Sequence, residues 1–352
     1  MRSLHPWSAA SLALLGACAT DLAPREVASP ALATDQSELI YGADHRREYY
    51  QVTDARYRAI ADATAAMVSR SSLTAVTGGY RLNTSTTYGS AYGLCTSEPY
   101  RTQPSSADCT VFQVGTDLIA TAGHCIDAST CASTAFAFGF RMDDATTVRS
   151  TFPTNDVYFC SQVLVSVETS TDDYAVVRVD RPIVGRNPLP IRRSGTIALG
   201  APVAVAGHPA GIPLKIADGA TVRSNSRAKY FSANLDTYGG NSGSPVFNTT
   251  DFTVEGILVR GNTDFVRSGT CYVSNKCNDS GCPGWEDVSR STRIVAWVPE
   301  LPAGCTTDAQ CDDGNPCNGF ETCVARACVA AAPQSCNDSN ACTADACDPV
   351  DA

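Results

Sequence analysis

Short runs of β-branched, aromatic and aliphatic residues, broken every few positions by Gly, Pro, Asn or Asp, fill the chain between about residues 75 and 300. Val111 to Val114, Leu118 to Thr121, Ala135 to Phe140, Val163 to Val167, Ala175 to Val179, Val203 to Ala206, Val246 to Asn248 and Val254 to Val259 each fit a strand. Sustained helical periods are scarce. Arg56 to Val68 reads as a short amphipathic segment or the approach to a first strand, and Ile294 to Val298 as a short terminal helix. Many short strands separated by turn signals predict an all-β sandwich or barrel.

The ends of the chain differ from its middle. Arg2 precedes a short apolar run, Ala9 to Ala17, too short to span a bilayer and ending in Leu15-Gly-Ala-Cys18. Residues 1–18 are therefore expected to be a signal peptide. Residues 19–38, rich in Ala, Pro, Ser, Thr and Asp, read as a flexible tether or pro-segment, and the folded domain is placed at residues 39–303. Residues 304–352 form a separate unit: from Cys305 onward there are eight acidic residues and one arginine, a balance of −7 out of a total of −10. That tail repeats a C-x5-C spacing, at Cys311 to Cys317 and Cys336 to Cys342, and ends inside what reads as another unit. Eight cysteines in those last 48 residues imply disulfides in place of a conventional core. Its Asp and Asn residues do not have EF-hand spacing and read as solvated turns, so no metal or other cofactor is expected.

Of the 352 residues, 43% are hydrophobic, enough for a sizeable core, and a net charge of −10 argues against a nucleic-acid partner. Seventeen cysteines point to an oxidising compartment. Flanking strands make a Cys131 to Cys160 bridge plausible. Pairing among Cys95, Cys271, Cys277 and Cys282 stays open, although Cys277-x4-Cys282, with no histidine near, looks like a loop staple and not a zinc site.

Three stretches carry candidate chemistry. Asp236-Thr-Tyr-Gly-Gly-Asn-Ser-Gly-Ser-Pro-Val-Phe-Asn248 sets Ser242 in a glycine-rich turn; alone, it is an ordinary hairpin turn. Leu118-Ile-Ala-Thr-Ala-Gly-His-Cys125 ends an apolar strand with His124, and Thr171-Asp-Asp-Tyr-Ala-Val-Val-Arg-Val179 begins another with an aspartate. There are only four histidines, and a neutral imidazole accepts a serine proton near pH 7 more readily than a carboxylate or a lysine does.

The order His, Asp, Ser and these local sequences resemble the chymotrypsin-like, or trypsin-like, serine peptidases. The form Gly-Gly-Asn-Ser-Gly-Ser-Pro-Val-Phe-Asn looks most like the bacterial glutamyl-endopeptidase branch. The resemblance implies two six-stranded antiparallel β-barrels with the site between them, residues 181–190 crossing from one to the other. It implies Ser242 as nucleophile, His124 as general base and then acid, Asp173 as the orienting carboxylate with Asp172 a turn residue, and the amides of Gly240 and Ser242 as the oxyanion hole. It implies a Cys109 to Cys125 disulfide around the histidine, with Gly123 standing where alanine is commoner. His208 falls at a turn and is expected to be structural or cleft-lining. Asn241, being neutral, cannot pair with an inserted N-terminal ammonium.

Specificity is less constrained. Asp236, six residues before the nucleophile, occupies the position that in trypsin-like enzymes forms the floor of the primary pocket, with Thr237 and Gly261 beside it, which would select Arg or Lys. Arg260 could instead neutralise it. Leu258 and Val259 stand where the glutamyl branch places a histidine, so cleavage after Glu is disfavoured.

Leu15-Gly-Ala-Cys18 resembles the lipobox of bacterial lipoproteins, with Cys18 as the lipidated residue; cleavage after Ala19 is the alternative. The tail resembles Asp/Asn/Cys-rich repeats of bacterial cell-surface proteins. The expected protein is thus a monomeric extracytoplasmic endopeptidase, tethered to a membrane only by lipid or else secreted, and acting on protein or peptide substrates. The rival is a surface binding protein on a catalytically silent protease fold. An α/β-hydrolase esterase is disfavoured by the lack of a Gly-x-Ser-x-Gly elbow.

Overall fold

The computed structural model describes residues 40–329 apart from 262, 279–281, 283, 302–303, 306–307, 312–320 and 325–326. The expected signal peptide with Cys18, the tether, and Cys317, Cys336, Cys342 and Cys347 of the tail lie outside the described residues. The first barrel comprises β1 (Thr64–Ser69), β2 (Cys109–Gln113), β3 (Leu118–Thr121), β4 (Thr134–Phe138), β5 (Val157–Glu168) and β6 (Asp173–Val179). They close antiparallel in the order β5-β6-β3-β2-β1-β4. The second comprises β7 (Pro202–Gly207), β8 (Lys215–Ser224), β9 (Tyr230–Ala233), β10 (Pro245–Asn248), β11 (Val254–Arg260) and β12 (Glu286–Arg290). Its order β7-β10-β11-β12-β9-β8 closes through the β7 to β8 pairing, and the short strand Arg46–Glu48 adds to β8. The expected all-β double barrel is therefore the observed fold.

The unbroken apolar runs have a simple cause. Successive side chains of a strand point to opposite faces, and here both faces are covered. Val111, Ile119, Ala175 and Val177 point into the first barrel with Phe136, Phe138 and Tyr158. Their neighbours Phe112, Leu118, Ala120 and Val176 point the other way, into a layer shared with Ala204, Ala206, Phe247 and Ile257 of the second barrel. The second barrel's own interior holds Val203, Val205, Val222, Phe231, Val246, Leu258 and Val288. The shared layer fixes one barrel against the other, and the candidate site lies at its edge.

Arg56 to Val68 resolves into helix α1 (Ala55–Asp62), capped by Asp54 through the Arg56 amide at 2.8 Å, and then β1. The expected helix at Ile294 to Val298 is absent. A 3₁₀ turn at Ser291–Arg293 is followed by turns with Ile294 N to Ser291 O and Trp297 N to Ile294 O bonds. Pro299 explains this, because it disfavours helical angles at Val298 and lacks an N–H to continue a ladder. Among the described residues no helix is long and apolar enough to cross a membrane.

Six disulfides lie among the described residues: Cys95–Cys271, Cys109–Cys125, Cys131–Cys160, Cys277–Cys282, Cys305–Cys323 and Cys311–Cys328. The last two join segments of the cysteine-rich tail. Loop-closure entropy ranks them: Cys95–Cys271 spans 176 residues and Cys277–Cys282 only 5. Replacing both cysteines by Ala should cost about 5 kcal/mol for the first pair and about 2 kcal/mol for the second. Guanidinium unfolding of the oxidised proteins checks the ranking, and a larger loss for the short loop would contradict it.

Candidate active site

His124 sits in a 3₁₀ turn, Gly123–Cys125, directly after β3. A Cβ at position 123 would lie 2.0 Å from the Val167 carbonyl oxygen of β5, so only glycine allows this approach. Asp173 opens β6 and is 1% exposed. Its Oδ1 accepts the N–H groups of Gly123 at 2.6 Å and His124 at 3.2 Å, and its Oδ2 lies 2.8 Å from His124 Nδ1. A buried oxygen pair that already accepts two backbone N–H groups offers the ring an acceptor, which is met when Nδ1 carries the imidazole proton. Nε2 is left as the acceptor.

Ser242 stands in a turn closed by Asn241 N to Tyr238 O at 2.9 Å and Ser244 N to Asn241 O at 2.8 Å. Gly243, at φ +91°, threads between the barrels: a Cβ there would lie 2.0 Å from Thr110 O and 2.2 Å from Thr121 Oγ1. The Ser242 carbonyl accepts Thr110 N at 2.8 Å and lies 3.7 Å from Cys125 Sγ, next to the histidine in sequence. Strands β2 and β3 therefore hold the serine turn against the histidine turn. Among the described residues Ser242 Oγ and His124 Nε2 do not hydrogen-bond; such contacts commonly tighten only when substrate arrives.

The amides of the turn are used unequally. Those of Gly239, Asn241, Gly243 and Ser244 donate to Asp264 Oδ2, Tyr238 O, Leu258 O and Asn241 O. Those of Gly240 and Ser242 donate to no atom of the described residues. Gly240, at φ +94°, turns its carbonyl to Thr110 Oγ1 at 2.9 Å, which fixes the peptide plane. Two unspent N–H groups beside a serine suit a developing oxyanion.

Asp236 is not an open pocket floor, which corrects the expectation. It is 4% exposed, Oδ1 accepts Tyr41 N at 2.8 Å, and Oδ2 meets His45 N at 2.8 Å and His45 Nδ1 at 3.0 Å. Burial raises its carboxyl above the usual carboxylate range while these donors oppose the shift. Thr237 is also enclosed, donating to Glu286 Oε2 at 3.1 Å, and Glu286 in turn accepts from the Tyr41 hydroxyl at 2.9 Å. Burial pushes Glu286 well up. Gly261 follows β11 and is half-buried. Arg260 pairs with Asp287 at 3.5 Å and not with Asp236. Glu286, Tyr41 and His45 were missed because no local motif marks them.

The two adjacent aspartates have different partners. Asp172 does form a turn, through its amide to Thr169 Oγ1 at 2.9 Å, but its buried carboxylate also pairs with Lys229 and with Arg293 Nε at 2.9 Å. Asn241 is 3% exposed and accepts the Ser244 hydroxyl at 3.4 Å. Cys109 and Cys125 are disulfide-bonded, so they offer no thiolate that could bind a metal with His124. His208 is structural: fully buried, stacked on Phe140, with Nδ1 3.0 Å from Ile212 O.

Residues 109–257 match the family model of the trypsin-like peptidase domain. That region is therefore similar to trypsin-like peptidase domains, and it contains His124, Asp173 and Ser242. No curated protein matches. A solved structure of a Glu endopeptidase in complex with MPD is similar over 73% of this chain and 96% of its own, at 17% identity and a TM-score of 0.43.

His208 gives a pH prediction. Burial lowers its pKa from 6.5 to about 3, so between those values the unfolded chain binds the proton and the folded one does not. Stability contributed by the neutral ring is present above pH 6.5 and falls on acidification, by up to about 1.4 kcal/mol per pH unit. Its carbonyl lies 2.7 Å from where a Cβ of Gly240 would be, so loss of this packing loosens the turn. Urea unfolding should show a steeper acid slope for wild type than for His208→Asn; equal slopes would contradict the burial argument.

Proposed function

We propose that the chain is an extracytoplasmic serine endopeptidase that hydrolyses peptide bonds through an acyl-enzyme. Ser242 Oγ attacks the scissile carbonyl while His124 Nε2 takes its proton, and the amides of Gly240 and Ser242 receive the oxyanion. His124 then protonates the leaving amine, and a water activated by the same nitrogen releases the acyl group. Asp173 keeps Nδ1 protonated and stabilises the imidazolium. What carries the reading is the pair of unspent amides at Gly240 and Ser242 beside a histidine whose tautomer is fixed by a buried carboxylate.

Substrates are proteins or peptides. Selection of Arg or Lys by Asp236 is not part of the proposal, since that carboxylate already meets two backbone N–H groups and the His45 ring. Six disulfides fit an oxidising compartment. Lipid attachment at Cys18, with the tail at the cell surface, is the localisation that the sequence supports, secretion being the alternative.

Oxidised wild-type protein should be labelled by a fluorophosphonate probe, and Ser242→Ala and His124→Ala should not. Asp173→Asn should lower turnover of an activated ester on the order of 10⁴-fold, the scale of losing the correct tautomer. A folded wild type that neither labels nor turns over ester would favour a binding role.

A further inference from the structure

A cleft of about 440 Å³ opens beside the nucleophile turn, with Gly240 and Gly211 on one side and Ser105, Ser106, Ala107 and Asp108, which lead into β2, on the other. The walls are tied to the turn itself. Ser106 N and Ala107 N donate to Gly211 O at 2.8 and 3.1 Å, Ser105 Oγ donates to Ala210 O at 2.7 Å, and Ala210 N donates to Gly239 O at 2.5 Å. Asn83, Ser85 and Thr86 complete a lining of hydroxyl and amide groups in which Asp108 is the one formal charge. Burial raises the Asp108 carboxyl, and only the Ser69 amide opposes that shift. This is an exposed acid at a polar cleft, with no cation among the lining residues.

The cleft lies on a definite flank. Thr237, on the approach to the turn, leads to Glu286 of the second barrel and through it to Tyr41, and the family resemblance assigns that flank to the residue before the scissile bond. Gly240 faces the other way, toward the first-barrel segment. We propose that this cleft receives a cationic side chain, Arg or Lys, from the leaving-group side of the substrate, and that Asp108 is the specificity-determining residue. The inference rests on the peptidase reading of Ser242. A guanidinium entering the cleft meets a carboxylate and several neutral acceptors, which satisfies its fork of donors.

Acyl transfer tests this with the whole oxidised protein. An acetyl-amino-acid p-nitrophenyl ester forms the acyl-enzyme, and paired dipeptide amides then compete with water: Arg-Gly-NH₂ against Gln-Gly-NH₂, and Gly-Arg-NH₂ against Gly-Gln-NH₂. The amine nitrogen attacks the acyl carbonyl, its proton passes to His124, and Ser242 Oγ leaves with that proton. Product ratios by mass spectrometry are internal to each reaction, so they do not depend on how active a variant is. Wild type should favour the arginine amide roughly fivefold in one series, less at high ionic strength. Asp108→Asn should bring the ratio near one, and Asp108→Lys should reverse it toward the glutamine amide. Ratios near one in both wild-type series, or an arginine preference surviving in Asp108→Asn, overturn the subsite while ester turnover upholds the peptidase. Absent ester turnover overturns both, and is distinguishable because no p-nitrophenol is released.

Discussion

A carboxylate taken out of water must be met by donors, and Asp173 is met by the Gly123 amide, the His124 amide and the His124 ring. That single group binds the start of β6 to the turn after β3 and at the same time chooses the imidazole tautomer. Everything else at the site is arranged around the acceptor nitrogen this leaves. Gly123 lets the histidine turn approach β5 closely enough for the contact, since any side chain there would collide with the Val167 carbonyl. Asp172, one residue earlier, is drawn off by Lys229 and Arg293.

The serine turn is held by the opposite means, close packing of backbone. Gly243 passes Thr110 and Thr121 with no room for a Cβ, while Thr110 binds the carbonyls of Gly240 and Ser242 through its hydroxyl and its amide. Thr110 and Thr121 belong to the first barrel and the turn to the second, so the layer shared by Phe112, Ala120, Val176, Ala206, Phe247 and Ile257 sets how serine and histidine meet. A site built this way depends on the barrel interface more than on any loop. The two unspent amides share their peptide planes with the carbonyls of Gly239 and Asn241, which are held by the amides of Ala210 and Ser244.

What the sequence made legible was local. His124 and Ser242 are flanked by residues whose own geometry requires them, Gly123 and Gly243, and Asp173 sits at the start of a strand that is apolar on both faces. The strands of the shared layer were legible for the same reason. Strands β8, β9 and β12 were not: β8 carries a positive-φ Gly219, and β12 buries Glu286 and Arg290, which makes a core strand look polar. Asp236 misled because its partners Tyr41 and His45 lie 195 and 191 residues away. Position relative to the nucleophile suggests a pocket floor, yet nothing nearby in sequence announces that an N-terminal segment fills it.

The central claim is that the amides of Gly240 and Ser242 are set to receive the oxyanion formed when Ser242 reacts. A crystal structure of the protein after reaction with a fluorophosphonate tests it directly. The account predicts phosphorus bonded to Ser242 Oγ, its non-bridging oxygen within hydrogen-bond reach of both amides, and Nε2 of His124 on the leaving-group side with Nδ1 still bound to Asp173. An adduct whose phosphoryl oxygen turns away from both amides, or one formed at another residue with the Asp173 to His124 bond intact, would contradict it.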